Sequence, residues 1–370
     1  MRRIAVVTGT RAEWGLLRPV CEAIQAERGL SLEVLAGGAH LLPPARTIDE
    51  VRAFAPSLRE FSMQVAGDSG RAADARALGR GVSALADHFA VLEPDIVVVL
   101  GDRIEAFAAA SAAAIGGIRV AHIHGGDRAE GVADESMRHA ITKLAHIHLA
   151  ASAESAERIL RLGEHPATIH LVGSPSIDGL SQASAIEDSR YRELGEPEIV
   201  FLMHPTGRGD DAERADAAAL LDACIERGRV LALMPNSDPG RDGIVRAISE
   251  RCGAIRIAEH LPRKQFVGLL KRPEVAALVG NSSAGIIEAS ALGVRVLDLG
   301  RRQRGRERAA NVVACATAEP ALLEDAFERL ARAPRSTAHP YGDGSASARI
   351  ARLLAELDPS RHPVAKLNAF

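Results

Sequence analysis

Two apolar patterns alternate along the chain. Short runs rich in Val, Ile and Leu end in Gly, Asp, Asn or Ser, and between them lie longer stretches with apolar residues at helical spacing. The first half holds RIAVVTG (3–9), LSLEVLAGG (30–38), DIVVVLGD (95–102), IRVAHIHGG (118–126), AHIHLAAS (145–152) and ATIHLVGSP (167–175). The second holds EIVFLMHP (198–205), RVLALMPNS (229–237), AIRIAEHL (254–261), VAALVGNSS (275–283), RVLDLG (295–300) and VVACA (312–316). Strands apolar on both faces and separated by helices belong to parallel sheets covered on both sides. The pattern therefore predicts an α/β chain of two Rossmann-like doubly wound domains facing across a cleft, with six strands in each half. The polar stretch QASAIEDSRYRELGEPE (182–198) predicts the hinge. Residues 1–182 form the expected N-terminal domain, 183–345 the C-terminal domain, and 346–370 a helix returning toward the N-terminal domain.

Composition changes this picture little. Of the 370 residues, 47% are apolar and 25% charged, with a formal charge of -3, so nothing favours a nucleic acid or a membrane surface as partner. A small molecule is the expected ligand. No apolar run reaches the roughly 18 residues of a membrane span. Cys21, Cys224, Cys252 and Cys315 are scattered without CxxC spacing, and no secretory segment follows Met1, which predicts a cytoplasmic setting.

Ligands of doubly wound sheets bind beyond the carboxyl ends of the strands, and the chemically informative residues cluster there. GNSSAGIIE (280–288) sets a Gly-Asn-Ser-Ser turn before a helix, where free amides and the hydroxyls of Ser282 and Ser283 suit a phosphate, and Glu288 suits a ribose diol. A serine N-cap with a solvent-facing glutamate would leave the same trace. LGRRQRGRERAANV (299–312) carries five Arg within eight residues, of which Arg302 and Arg306 are the candidates for the same anion. In the first half, TGTRAEWG (8–15) offers Arg11 and Glu13, and GDRIE (101–105) offers Asp102 and Arg103. An unpartnered acid at the end of the apolar strand before Asp102 would be costly.

Residues 119–148, RVAHIHGGDRAEGVADESMRHAITKLAHIH, hold five His and four acidic residues around a Gly-Gly pair. His122 and His124 alternate, which on a strand puts them on one face. Neither CxxC nor HExxH accompanies them, so no metal is predicted. Within DESMRHAITK (134–143) helical spacing groups Asp134 with Arg138 and Glu135 with His139.

Five segments in register, GTRAEWGLLRPV, GDRIEAFAAASAAAIGGIRVAHIHGG, DESMRHAITKLAHIH, GNSSAGIIEASALGVRVLDLGRRQRGRERAANV and HPYGDGSASARI, together resemble the UDP-N-acetylglucosamine 2-epimerases, above all the hydrolysing branch that makes precursors of sialic and legionaminic acids. The resemblance implies a glycosyltransferase-B fold with the nucleotide mainly on the C-terminal domain, a UDP-sugar substrate, no cofactor, and a homodimer or tetramer. It implies anti elimination of UDP to a 2-acetamidoglucal, then addition of water with inversion at C2. Carried onto this sequence, the family's catalytic carboxylates fall on Asp102 and, at the Asp134-Glu135 pair, on Asp134. A third carboxylate, usually Glu one residue before the Gly-Gly turn, is replaced here by His124, and Asp127 or Glu130 stands close enough in sequence to compensate. The family's histidine after the first C-domain strand matches His204, its nucleotide-contacting arginine matches Arg11, and its diphosphate and ribose contacts match Ser282, Ser283, Glu288 and Arg302. In MPNSDPG (234–240), Asn236 and Asp238 are expected to face the sugar or the nucleotide. The alternatives are a non-hydrolysing 2-epimerase, a catalytically silent sugar-nucleotide sensor suggested by His124, and a glycosyltransferase on the same fold.

Overall fold

The structure, a computed structural model, describes residues 1–43, 47–68, 70–128, 134–236 and 240–369, without the side chain of Asp134. In chain order the first unit contains β1 (Arg2–Thr8), α1 (Arg11–Ala26), β2 (Leu30–Gly37), α2 (Ile48–Phe54), β3 (Arg59–Phe61), α3 (Arg71–Leu92), β4 (Ile96–Leu100), α4 (Ile104–Ile115), β5 (Arg119–Ile123), α5 (Asp134–Leu144), β6 (Ile147–Ala150), α6 (Ala153–Arg161) and β7 (Ile169–Leu171). The second contains α7 (Asp188–Glu193), β8 (Ile199–Leu202), α8 (Asp210–Ile225), β9 (Val230–Leu233), α9 (Arg241–Ser249), β10 (Arg256–Ala258), α10 (Arg263–Leu270), β11 (Ala277–Gly280), β12 (Arg295–Leu299), β13 (Val312–Cys315) and α11 (Pro320–Arg332). The last helix, α12 (Ala346–Glu356), is again part of the first unit, because the chain crosses to the second unit after Asp178 and returns after Pro340.

Both sheets are parallel throughout. The first runs β3-β2-β1-β4-β5-β6-β7 and the second β10-β9-β8-β11-β12-β13. Strand order reverses between β1 and β4 in one and between β8 and β11 in the other, which is where doubly wound sheets open their ligand crevices. The cores explain the apolar runs: all five residues of β4 are buried, and so are all four of β9 and all four of β11. All twelve expected strands are present, and β3 is an addition. Two of its three residues, Arg59 and Glu60, are charged, so this edge strand left no apolar signal.

The expected hinge contains a helix instead. Tyr191 and Leu194 lie three residues apart and bury themselves among Val200, Leu231, Leu278 and Val296, which makes this stretch part of the second unit's core. At the other end α12 packs on α1, with Ile350, Ala351 and Leu354 in the same core as Val20 and Ile24. Its first turn is capped from a distance: the carboxylate of Asp178 accepts from the backbone N–H groups of Ala346 and Ser347 at 2.9 and 2.6 Å. Among the described residues no helix is long and apolar enough to cross a membrane.

Candidate active site

In the first unit the chemistry gathers where β4 and β5 end. Asp102 directly follows Gly101 beyond β4, and its carboxylate pairs with the guanidinium of Arg138 from α5. The acid is about one-fifth exposed and the arginine almost wholly buried, so the guanidinium offsets the acid's charge without closing it off. The same guanidinium reaches the carbonyl of His124 at 3.3 Å. Asp102 and the end of β5 are thus held by one side chain, whose partners were not legible from the spacing of α5. Glu135 lies on the same helix in an i,i+4 pair with His139 at 3.4 Å. Asp134 begins that helix, but its side chain falls outside the described residues, as do Glu130 and Asp238 entirely.

The five histidines have separate fates. His122 is fully buried, its Nε2 donates to the carbonyl of Gly101 at 2.7 Å, and burial drives its pKa down to about 3, so it is neutral. His124 does not continue the strand's alternation. Its backbone lies in the left-handed region at φ 63°, so the extended strand ends before it. There Nδ1 meets the Asp127 carboxylate at 2.8 Å and Nε2 meets the Ser174 hydroxyl at 2.9 Å. His146 accepts from the backbone N–H of Val120 at 3.1 Å, and His148 bonds Glu164 at 3.0 Å, both away from Asp102. The Gly-Gly turn serves the protein's own packing: a Cβ on Gly126 would lie 2.1 Å from the carbonyl oxygen of Ser155 in α6, and one on Gly125 2.9 Å from the ring of His122. Among the described residues no three His, Cys, Asp or Glu side chains converge as metal ligands would.

At the end of β1 the expected pair divides. Arg11 opens α1 with one terminal nitrogen buried and without a hydrogen-bond partner, a guanidinium equipped for an anion. Glu13 instead completes a capping box, accepting from the N–H groups of Gly9 and Thr10 at 2.8 and 2.9 Å. Burial, reinforced by the neighbouring Glu105, pushes its pKa up to about 7. Arg103 stands at the N-cap position of α4 without a side-chain cap bond, and approaches the buried carboxylate of Glu105 at 3.5 Å.

The second unit gathers its candidates at the ends of β8 and β11. The side chain of Asn281 accepts from the N–H of His204 at 2.7 Å and donates to its carbonyl at 2.8 Å, locking the two strand ends together. Sequence reasoning passed over Asn281 as a turn residue. The Nδ1 of His204 accepts from the N–H of Asn236 at 3.2 Å, so its proton sits on Nε2. Burial and the nearby Arg302 lower its pKa to about 3, leaving a neutral donor. Arg302 and Gln303 both reach the carbonyl of Asn281, at 3.3 and 3.0 Å, which brings the arginine beside Ser282 and Ser283. Ser282 caps its own turn, accepting from the N–H of Ala284 at 3.4 Å. The helix beyond contains a π-helical turn, Gly285–Ala289, and within it Glu288 is buried and paired with Arg263 of α10. Such turns widen a helix locally and are frequent at functional sites. The arginine run divides: Arg306 donates to the carbonyl of Arg128 at 3.1 Å, and Arg308 binds the buried Asp298 at 2.6 Å.

Comparison with known proteins matches residues 22–355 to the family model described as UDP-N-acetylglucosamine 2-epimerase. A hydrolysing UDP-N,N'-diacetylbacillosamine 2-epimerase of Legionella pneumophila is 33% identical over 100% of both chains. A hydrolysing GDP/UDP-N,N'-diacetylbacillosamine 2-epimerase of Campylobacter jejuni is 28% identical over 89% of this chain and 87% of that one. Among solved structures, a Neisseria meningitidis UDP-GlcNAc 2-epimerase bound to UDP-GlcNAc superposes with a TM-score of 0.78 at 18% identity, covering 96% of this chain and 100% of that one.

Glu13 supplies a pH test. Its carboxyl holds a proton more tightly when buried than in the unfolded chain, so the folded state binds more protons between about pH 4.5 and 7. This group's contribution to stability is therefore full below that window and lost as pH rises through it. Urea unfolding of Glu13→Gln, which keeps the capping box, is expected to show a flatter decline from pH 5 to pH 7 than wild type. Parallel curves would refute the assignment.

Proposed function

The chain belongs to the UDP-N-acetylglucosamine 2-epimerase family, and we infer that it is a hydrolysing 2-epimerase that cleaves a UDP-2-acetamido sugar to UDP and the free C2-inverted sugar. Asp102, paired with Arg138 yet one-fifth exposed, is the observation that carries this reading. A carboxylate in that state takes the proton from C2, the C2–H electrons form the C1=C2 bond, and the C1–O bond breaks to release UDP. The second unit supplies what the departing diphosphate requires: the N–H groups and hydroxyls of Ser282 and Ser283, the charge of Arg302 and the Nε2–H of His204. Because His204 is neutral, it serves as a hydrogen-bond donor and not as a base. Glu288 receives the ribose once it exchanges its bond to Arg263 for the diol. In the first unit Arg11 is a cation suited to an anionic group of the substrate. Water then adds to the 2-acetamidoglucal.

The sugar we propose is a 6-deoxy-2,4-diacetamido hexose, and its product a precursor of a nonulosonic acid of the legionaminic type. The support is the likeness to the Legionella enzyme, which spans both chains entirely.

Three outcomes test this. Incubation with UDP-N-acetylglucosamine, UDP-N,N'-diacetylbacillosamine and its GDP counterpart, followed by NMR, is expected to give free UDP and a C2-inverted free sugar from the diacetamido substrate. Inversion with the nucleotide still attached would instead indicate a non-hydrolysing epimerase, and no turnover of any substrate would refute an enzymatic role. Asp102→Asn is expected to cut kcat about a hundredfold or more while titration still shows UDP binding, the usual scale for losing a general base; unchanged kcat removes Asp102 from the reaction. Ser282→Ala is expected to weaken UDP binding roughly tenfold, the scale of one hydrogen bond to a charged group, and an unaltered Kd would dismiss the phosphate cradle.

A further inference from the structure

We infer that His124 and Asp127 form an imidazole–carboxylate pair that delivers a proton to C2 in the second half of the reaction, with Asp127 as the positioning residue. The inference rests on the hydrolysing reading above. It starts from the need for two proton-handling groups: one removes the C2 proton, and inversion requires that another return a proton to the opposite face. Asp102, paired with Arg138, suits only the first task. Of the described imidazoles near the ends of β4 and β5, His122 has Nε2 committed to Gly101, and its ring is too deeply buried to carry charge.

His124 is built differently. One carboxylate oxygen of Asp127 faces Nδ1 at 2.8 Å, and the other is fixed by the Ser155 hydroxyl at 2.8 Å, itself bonded to Ser152 at 3.0 Å. An anion anchored this way holds the proton on Nδ1 and leaves Nε2 as the exchangeable nitrogen, as in a Ser-His-Asp triad. Nε2 meets the Ser174 hydroxyl at 2.9 Å, and Ser174 meets Ser176 at 2.8 Å, a path along which a proton can move. The backbone here is strained, at φ 63° in a non-glycine residue. That strain persists because Arg138 grips the His124 carbonyl while the His124 N–H donates to the Leu149 carbonyl at 3.2 Å.

The step balances. The C1=C2 electron pair takes the Nε2 proton of the imidazolium to form the new C2–H bond, water oxygen bonds to C1, and the surplus water proton returns to Nε2 through the Ser174 hydroxyl. The C2 proton taken by Asp102 in the first step leaves to solvent, matching the charge gained by released UDP.

The test separates the two halves of the reaction in the full-length protein. With Asp127→Asn or His124→Gln, which keep hydrogen-bonding shape but cannot hold or carry the proton, UDP release is expected to persist. Hydration is expected to fall about a hundredfold, so that NMR finds the unsaturated 2-acetamido sugar as the main product. Asp127→Glu is expected to restore the free sugar. If Asp127→Asn leaves the product ratio as in wild type, or lowers UDP release and hydration in equal proportion, Asp127 is structural and the inference fails. If wild type releases no UDP, the functional reading falls first and this one with it.

Discussion

Everything at the reactive end of the first unit depends on one ion pair. The strand before Asp102 is apolar on both faces and lies between β1 and β5 in the sheet, so an acid placed just beyond it has little water to solvate its charge. Arg138 supplies the counter-charge from α5, and because it is itself almost wholly buried, each charge offsets part of what the other loses in leaving water. Losing one partner of such a pair typically costs about 3–5 kcal/mol. The pair therefore fixes α5 against the strand ends, and the helix follows with its inner side: Thr142, one turn beyond Arg138, bonds back to the Arg138 carbonyl and lies 3.3 Å from the ring of His122. Geometry needed for chemistry and geometry needed for stability are here the same.

The two units solve opposite electrostatic problems at equivalent places in their sheets. At the first strand-order reversal stand carboxylates and imidazoles, groups that exchange protons. At the second stand a neutral histidine donor, a helix start with two serines and an arginine, groups that receive negative charge without titrating. The arginine run shows how little a charge count reveals alone. Arg308 neutralises the buried Asp298, Arg306 holds a backbone carbonyl, and Arg302 is the one placed beside the Asn281–Ser282 turn.

The architecture was legible because parallel strands buried on both faces must be written in apolar residues, as β4, β9 and β11 are, and twelve of the thirteen strands among the described residues carried enough of that signal to be read. The exception, β3, carries Arg59 and Glu60 at an edge where burial makes no such demand. Site positions were legible for a related reason, since crevices open at strand ends and a strand end is visible in sequence. Partnerships were not. Nothing in the chain says that Asp102 meets a residue 36 positions later, or that His124 meets one 50 positions later. The alternation of His122 and His124 presumes a continuing strand, whereas β5 ends at Ile123 and His124 turns into the left-handed region. The Gly-Gly pair gave no sign of its packing role, in which the missing side chains make room for α6 and His122.

Where the resemblance implies a carboxylate at position 124, the imidazole found there leaves the charge of such a site unchanged. A neutral imidazole beside the Asp127 carboxylate carries one net negative charge, as an ionised glutamate would; protonated, the pair is neutral, as a glutamic acid is. What differs is reach and rigidity. A lone carboxyl rotates freely and donates from either oxygen, whereas a ring pinned at Nδ1 donates from Nε2 alone and along one direction. Such a proton carrier depends on its backbone for aim, and that accounts for a non-glycine residue held at positive φ between two glycines and a strand. The serines behind Asp127 belong to the same requirement, because a carboxylate free to turn would release the ring it orients.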